Sequence, residues 1–348
     1  MDHRFSGAWI TVNRDCTFRC LWCYADGTEY HSSDDMTFEK AIELLHFISS
    51  LGIKHVQLIG GEPTLWPRLM PTVRAATGLG LDTILITNGY RLGSKSFLSE
   101  LQSCGLGGVN LSIKAGDPSQ HSKLTRTKPA TFNAVLKGIH NLADSGIPFE
   151  VTAIANTCVL NDLAKICQVS TDNGAKRFSI DFCSASFDDK GNVSSEYMPK
   201  PREVVEAIIS QYSAMDTATN GNFLLAQTLP TCLWPSEFLN LLESKNQVEY
   251  GCHVMSREGL VFDHIGQLLI CNHLHGFSLG QFGKEFTDAI SFEQFWQSSE
   301  IKGYYDQINA YPANSCINCQ TYTRCGGGCP LLWFVYNPEN VIGKEGIL

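Results

Sequence analysis

Cys16-Thr17-Phe18-Arg19-Cys20-Leu21-Trp22-Cys23 places three thiols at the spacing C-x3-C-x2-C in a chain of 348 residues. A cubane iron–sulfur cluster normally takes four thiolates, one per iron. Three thiolates from one loop therefore hold three irons and leave the fourth open to a molecule that can react. Zinc is the competing reading of closely spaced cysteines, although zinc sites more often pair two C-x2-C knuckles or combine Cys with His. The flanking sequence has to separate the two.

Upstream of the loop, Ala8 to Asn13 is a short apolar, β-prone run that delivers Cys16. Downstream, Thr37 to Ser50 has Phe38, Ala41, Ile42, Leu45 and Ile48 at helical spacing, with Thr37 as cap. Strands are expected at His55–Ile59, Asp82–Thr87, Gly108–Lys114, Phe149–Ala155 and Arg177–Phe182. The helices between them fall at Pro67–Thr77, Ser94–Ser103, Thr131–Ser145 and Asp162–Asn173. Pro201–Ala214 is the last helix of this series, with proline in its first turn. Such alternation predicts a parallel sheet with right-handed crossovers, with chemistry at the C-terminal strand ends. Phe223 to Gln247 reads as a helical bridge. The organisation expected is 1–218, 219–249 and 250–348.

Gly60-Gly61-Glu62-Pro63 follows the second strand, and its glycines allow close backbone approach to a ligand. Two further cysteine groups lie near the other end. Cys252 and Cys271 flank a hairpin-like stretch containing Gly266, and Cys316, Cys319, Cys325 and Cys329 follow at C-x2-C-x5-C-x3-C.

Together these segments resemble the radical S-adenosylmethionine (radical SAM) family. The first loop is similar to its C-x3-C-x-aromatic-C signature, with Trp22 in the aromatic place, and the C-terminal block resembles the SPASM extension of maturases in that family. The resemblance implies an α/β fold, a partial (β/α)6 barrel carrying a C-terminal Cys-rich auxiliary-cluster domain. It implies a [4Fe–4S] cluster on Cys16, Cys20 and Cys23 that binds S-adenosylmethionine (SAM). Gly60, Gly61, Glu62 and Pro63 would meet the methionyl ammonium, Asn88 the ribose, Ser112 and Arg126 the carboxylate, and Ile154 the adenine. Lys114 stands where relatives often have Asp, and His121 falls in the same loop as Arg126.

The extension further implies one or two auxiliary [4Fe–4S] clusters. The first would take Cys252, Cys271 and Cys329, with Cys232 as its nearest additional ligand. The second would take Cys316, Cys319 and Cys325. No Cys or His follows Cys329, so that second cluster is expected to have an open iron, a carboxylate such as Glu339, or to be absent. Sulfatase maturases have an aspartate base after the second hairpin cysteine where this chain has Asn272. Asn272 and His273 are the catalytic candidates, and His275 lies beside them. Cys104, Cys158, Cys167 and Cys183 read as buried structural thiols.

The activity implied is reductive cleavage of SAM to a 5′-deoxyadenosyl radical and oxidative modification of a substrate. A peptide or protein side chain comes first. A small metabolite such as a sugar or nucleoside is the alternative, and a non-catalytic iron–sulfur electron carrier is another. Fifteen residues precede Cys16, so no fused leader-binding domain is expected. A flavodoxin- or ferredoxin-type protein would supply electrons. A formal net charge of −9 argues against a general nucleic-acid surface. There is no signal-peptide pattern and no apolar run approaching roughly 18 residues, so a membrane role is not expected and the location is read as cytoplasmic. Fourteen cysteines in such a chain are metal ligands and buried thiols rather than disulfides.

Overall fold

The computed structural model describes residues 5–25, 34–188 and 190–342. The strands are β1 (Gly7–Thr11), β2 (His55–Ile59), β3 (Asp82–Thr87), β4 (Gly108–Ile113), β5 (Phe149–Ala155), β6 (Phe178–Phe182), β7 (Ser186–Phe187), β8 (Val193–Ser194), β9 (Phe223–Gln227), β10 (Val248–Tyr250), β11 (Gly259–Phe262), β12 (Gln267–Leu269) and β13 (Ser278–Gln281). Strands β1 to β6 lie side by side in chain order, all parallel. Leu58, Leu85, Leu111, Val151 and Ile180 are fully buried in them. Parallel strands covered by helices read as apolar runs, which is why these five positions were recognisable.

The crossovers are α1 (Phe38–Ser50), α2 (Leu69–Gly78), α3 (Lys95–Ser103), α4 (Pro118–Thr125), α5 (Ala130–Ser145) and α6 (Leu163–Asp172), followed by α7 (Pro201–Ala218). Thr37 Oγ1 accepts from Lys40 N and caps α1, whose buried face is Ala41, Leu44, Leu45, Phe47 and Ile48. Helix α4 replaces the expected loop around His121. Asp117 caps its start by accepting from Gln120 N, and Pro118 takes the first helical position, where its missing N–H costs nothing.

Two expectations are corrected beyond α7. The stretch 223–247 is not a helical bridge: Phe223–Gln227 is strand β9, parallel to β6, and only Ser236–Ser244 is helical (α8). Nor does residue 250 mark a break in the sheet. Strand β10 extends the β6–β9 side, while β11 pairs in parallel with β1 on the opposite side, Trp9 opposite Val261. The expected hairpin is present as antiparallel β11–β12. Asp263 Oδ1 closes its turn by accepting from Ile265 N and Gln267 N, and Gly266 supplies a φ of +84°. The last helices are α9 (Ala289–Trp296), α10 (Ser299–Ile308), α11 (Tyr322–Cys325) and α12 (Pro338–Ile342).

Helix α9 docks on α1 through rings. Phe47 lies 5.4 Å from Phe292 and 5.5 Å from Phe286, and Phe292 stacks on Trp296 at 5.5 Å. Such pairs add about 0.5–1.5 kcal/mol each beyond area burial. Among the described residues no helix is long and apolar enough to cross a membrane.

Candidate active site

The cysteine loop leaves the C-terminal end of β1 and docks on the end of α4: Arg19 N donates to Thr125 O and Leu21 N to Leu124 O. Phe18 is buried beneath it, edge-on to the ring of His121 at 5.1 Å. His121 is thus fully buried packing under the loop, and burial holds its pKa down at about 4. It is not the solvated loop residue its neighbourhood suggested. The Cys16 thiol is pushed up to about 12 by burial, then by Glu62, and also by Cys20 and Cys23. Phe18 N and Asn88 Nδ2 both point at its sulfur. A thiol raised in this way ionises beside two others only around positive charge, which is the environment an iron cluster provides.

The Gly60-Gly61-Glu62 turn packs directly against the chain leaving β1. Gly61 N donates to Asn13 O and Glu62 N to Asp15 O, while Asn13 Nδ2 donates to Glu62 O at 2.9 Å. A Cβ on either glycine would run into Asn13 or the main-chain oxygens of Arg14 and Asp15. The Glu62 carboxylate is buried and accepts four hydrogen bonds, from Thr64 N, Thr64 Oγ1, Thr87 Oγ1 and Asn88 N.

A cavity of about 480 Å³ opens at these strand ends. Its wall includes Cys16, Cys20, Cys23, Gly60, Gly61, Glu62, Asn88, Ser112 and Ile154, together with Cys252, Cys271, Asn272 and His273. Asn88 Nδ2 donates to Thr17 Oγ1 and so ties the end of β3 to the cysteine loop. Lys114 also lines the cavity, and its Nζ donates to Ser112 Oγ at 2.5 Å. Pro63 and Arg126 do not line it. Arg126 is exposed at the C-terminal end of α4 with a φ of +53°, whereas Arg19 and Lys114 are the cations that line the cavity.

The other cysteines separate into two sets. Cys271 is acted on electrostatically by Cys329 and Cys252, and burial first of all pushes its thiol up to about 12. Cys316 is acted on by Cys325 and Cys319. The thiols that act on Cys232 are those of Cys325, Cys316 and Cys319, whereas the expectation grouped it with Cys252, Cys271 and Cys329. Glu339 Oε1 accepts from Asn314 N, so this carboxylate secures the chain before Cys316. Among the described residues no three Cys, His, Asp or Glu side chains converge on a point one metal ion could fill. Thiols held near one another yet apart suit a cluster, where each goes to a different iron.

Asn272 Oδ1 is buried without a hydrogen-bond partner at the cavity wall. The His273 ring stacks on Tyr24 at 4.8 Å, and its Nδ1 is 3.2 Å from Ala185 O. His275 stacks on the same tyrosine at 5.6 Å and contacts the Arg14 guanidinium. Cys104, Cys167 and Cys183 are buried, as expected of structural thiols, although Cys183 borders the cavity.

Asp181 was not anticipated. It sits on β6 inside a five-residue strand, paired with Ile154 of β5, and faces the cavity with no hydrogen bond to another described residue. Removal from water, then the carboxylates of Glu150 and Glu249, raise its pKa to about 7. The signal available in sequence is a single charged residue in an otherwise uncharged strand, Phe178-Ser-Ile-Asp-Phe182.

Residues 10–161 match the family model of the Radical SAM superfamily. A probable GTP 3′,8-cyclase of Pyrobaculum aerophilum is 32% identical over 143 residues, 41% of this chain and 46% of that protein. An AdoMet-dependent heme synthase of Methanosarcina barkeri is 25% identical over 196 residues, covering 56% of this chain and 55% of that protein. The chain spans less than half the length of the GTP cyclases it matches. Among solved structures, Streptococcus suis SuiB bound to precursor peptide SuiA superposes with a TM-score of 0.71 at 18% identity, over 97% of this chain and 74% of that one. The structure of anSMEcpe with bound AdoMet and Kp18Cys peptide gives 0.68 at 16% identity, over 93% and 88%. These two show that the fold extends through the cysteine-rich C-terminal part.

Proposed function

We propose that this chain, whose residues 10–161 match the Radical SAM superfamily model, oxidatively modifies a peptide or protein side chain, as a maturase with auxiliary clusters. The observation that carries this reading is the shared cavity wall. Cys16, Cys20 and Cys23 line it from one side of the chain, and Cys252 and Cys271 from the C-terminal part. When bound, a cluster on Cys16, Cys20 and Cys23 together with SAM would supply hydrogen-atom abstraction, and a cluster on the C-terminal cysteines would supply an electron acceptor.

The residues divide the remaining work. The Gly60-Gly61-Glu62 turn presents backbone oxygens to the SAM ammonium while four hydrogen bonds hold Glu62 in place. Ser112 and Lys114 take the SAM carboxylate, Lys114 serving as the charged donor. Asn88 holds the ribose side and Ile154 the adenine side. Asn272, with a buried unpartnered oxygen, and Asp181 face the substrate. Asp181 is suited to receive the proton released on oxidation, because its raised pKa lies near neutral pH.

A second reading, a small-molecule substrate, is favoured by the GTP cyclase relatives. Their similarity covers 41–42% of this chain and less than half of their own length, too little to carry the choice of substrate. A low-potential flavodoxin or ferredoxin in a reducing cytoplasm would serve either reading. Anaerobically reconstituted, reduced protein should release 5′-deoxyadenosine from SAM, and replacing Cys16, Cys20 and Cys23 together by Ala should abolish this. Stimulation of that release by peptides supports the maturase reading. Stimulation by GTP and not by peptides replaces it with the second.

A further inference from the structure

We propose that Cys232 is the fourth thiolate of the Cys316, Cys319, Cys325 cluster, which leaves the Cys252, Cys271, Cys329 centre with three thiolates and an open position at the substrate cavity. The proposal rests on the reading of these cysteines as auxiliary cluster ligands and specifies how they are shared out.

The turn that carries Cys232, Thr231–Leu233, is built into the C-x5-C-x3-C loop by several contacts. Thr231 N donates to Cys325 Sγ at 3.2 Å. Cys329 N donates to Thr228 O at 2.7 Å. Thr231 Oγ1 and Thr321 Oγ1 are 3.5 Å apart. Gly328, at a φ of +82°, lies so close to Pro230 that a Cβ there would collide with the proline ring. The sequence distance of about 90 residues is therefore closed by backbone hydrogen bonds, and the thiol of Cys232 arrives among those of Cys325, Cys316 and Cys319, all of which act on it. Glu339, the carboxylate candidate, has its Oε1 engaged by Asn314 N.

The complementary set behaves differently. Cys329 leaves the same loop in the other direction and meets Cys252 and Cys271. Cys252 and Cys271 border the cavity. Among the described residues no further cysteine acts on Cys271. That centre would then be held by three protein thiolates, two of them, Cys252 and Cys271, on the cavity wall. Ligation by Cys232 exchanges its thiol proton for iron, the proton passing to solvent, with no change of oxidation state.

The test uses full-length, anaerobically reconstituted protein and two readouts other than activity. In Mössbauer and EPR spectra, Cys232→Ser should alter the auxiliary signal that Cys319→Ala alters, and leave the signal that Cys252→Ala removes. Glu339→Gln should leave both. In alkylation with iodoacetamide followed by mass spectrometry, Cys232 is an exposed residue whose thiol is pushed up to about 11 by burial and by its thiol neighbours, so it should react in metal-free protein at alkaline pH. Loading should slow that reaction by at least about tenfold, as expected of a ligated thiolate, and Cys319→Ala should restore it. The proposal is overturned if Cys232→Ser instead changes the Cys252-dependent signal, or changes neither while Cys319→Ala removes iron. It is also overturned if Cys232 alkylates equally fast with and without iron. Wild-type protein holding iron on the first loop alone would overturn the auxiliary-cluster reading beneath it, and the iron count separates that outcome from the others.

Discussion

Tyr24 and His273 stack with ring centroids 4.8 Å apart and planes inclined by 29°. Tyr24 follows Cys23 directly and His273 follows Cys271 by two residues, so one ring pair spans the two cysteine loops that share the cavity. His275 packs on the same tyrosine at 16°. Replacing Tyr24 by Leu removes both stacks and should lower stability by about 1–3 kcal/mol, read as the urea midpoint of reconstituted protein. Tyr24→Phe keeps both rings and should stay near wild type. Equal loss in the two variants would mean that the hydroxyl, and not the stacking, holds the loops together.

Lys114 and Arg126 give opposite expectations for SAM binding. Lys114 lines the cavity and donates to Ser112 Oγ, whereas Arg126 is exposed outside it. Loss of one charge-assisted hydrogen bond costs about 1.5–3 kcal/mol, so Lys114→Met should weaken SAM binding roughly 10- to 150-fold. Arg126→Ala should change it by no more than about twofold, as for other surface sites. Equilibrium dialysis with labelled SAM decides; the reverse ranking would restore the arginine to the pocket.

Glu62→Gln tests the turn. All four hydrogen bonds to this side chain are received by carboxylate oxygens, and an amide must aim its own N–H groups at one of those donors. The expected cost is roughly 3 kcal/mol for a buried, charge-assisted set broken at one end. It should appear as a lower denaturation midpoint even without SAM. Normal stability with lost SAM binding would instead make Glu62 a ligand-binding group only.

Asp181 gives a pH signature whose sign follows from proton counting. Its folded pKa is raised, to about 7, above the ordinary value of 3.8. Between those two values the folded chain holds a proton that the unfolded chain has lost, so this group's contribution to stability falls as pH rises through that window and stays unfavourable above it. Asp181→Asn removes the penalty. The variant should therefore gain stability over wild type at pH 8 and little at pH 4, while substrate-dependent 5′-deoxyadenosine release falls. A functional site that costs stability behaves this way. A gain that is the same at both pH values would show that Asp181 titrates in the fold as it does in the unfolded chain.

The strand order was readable because each inner strand is a short apolar run between turn residues, and the three cysteine groups announced themselves by spacing. What escaped has physical causes. Phe223-Leu-Leu-Ala-Gln227 was read as helix because a five-residue apolar run has no length to show its period. Spacing groups Cys232 with the hairpin cysteines because its neighbours Cys316, Cys319 and Cys325 lie about 90 residues away, brought close by hydrogen bonds that Thr231 N donates to Cys325 Sγ and Cys329 N donates to Thr228 O. Arg126 was placed in the pocket by position alone, whereas the helix formed by Pro118–Thr125 turns it outward. Asp181 was overlooked because alternation hides one acid among apolar neighbours.

The pairing of β11 with β1 also governs how the molecule can be made. During synthesis the first strand and its cysteine loop leave the ribosome long before Gly259–Phe262 exist. Until then one side of β1 offers unpaired backbone groups beside apolar residues such as Ile10, the kind of edge that recruits other chains. A nascent chain in this state has its iron-binding loop but not the strand that seals it. A fragment ending ahead of Gly259 should be recovered as aggregate rather than as a working half.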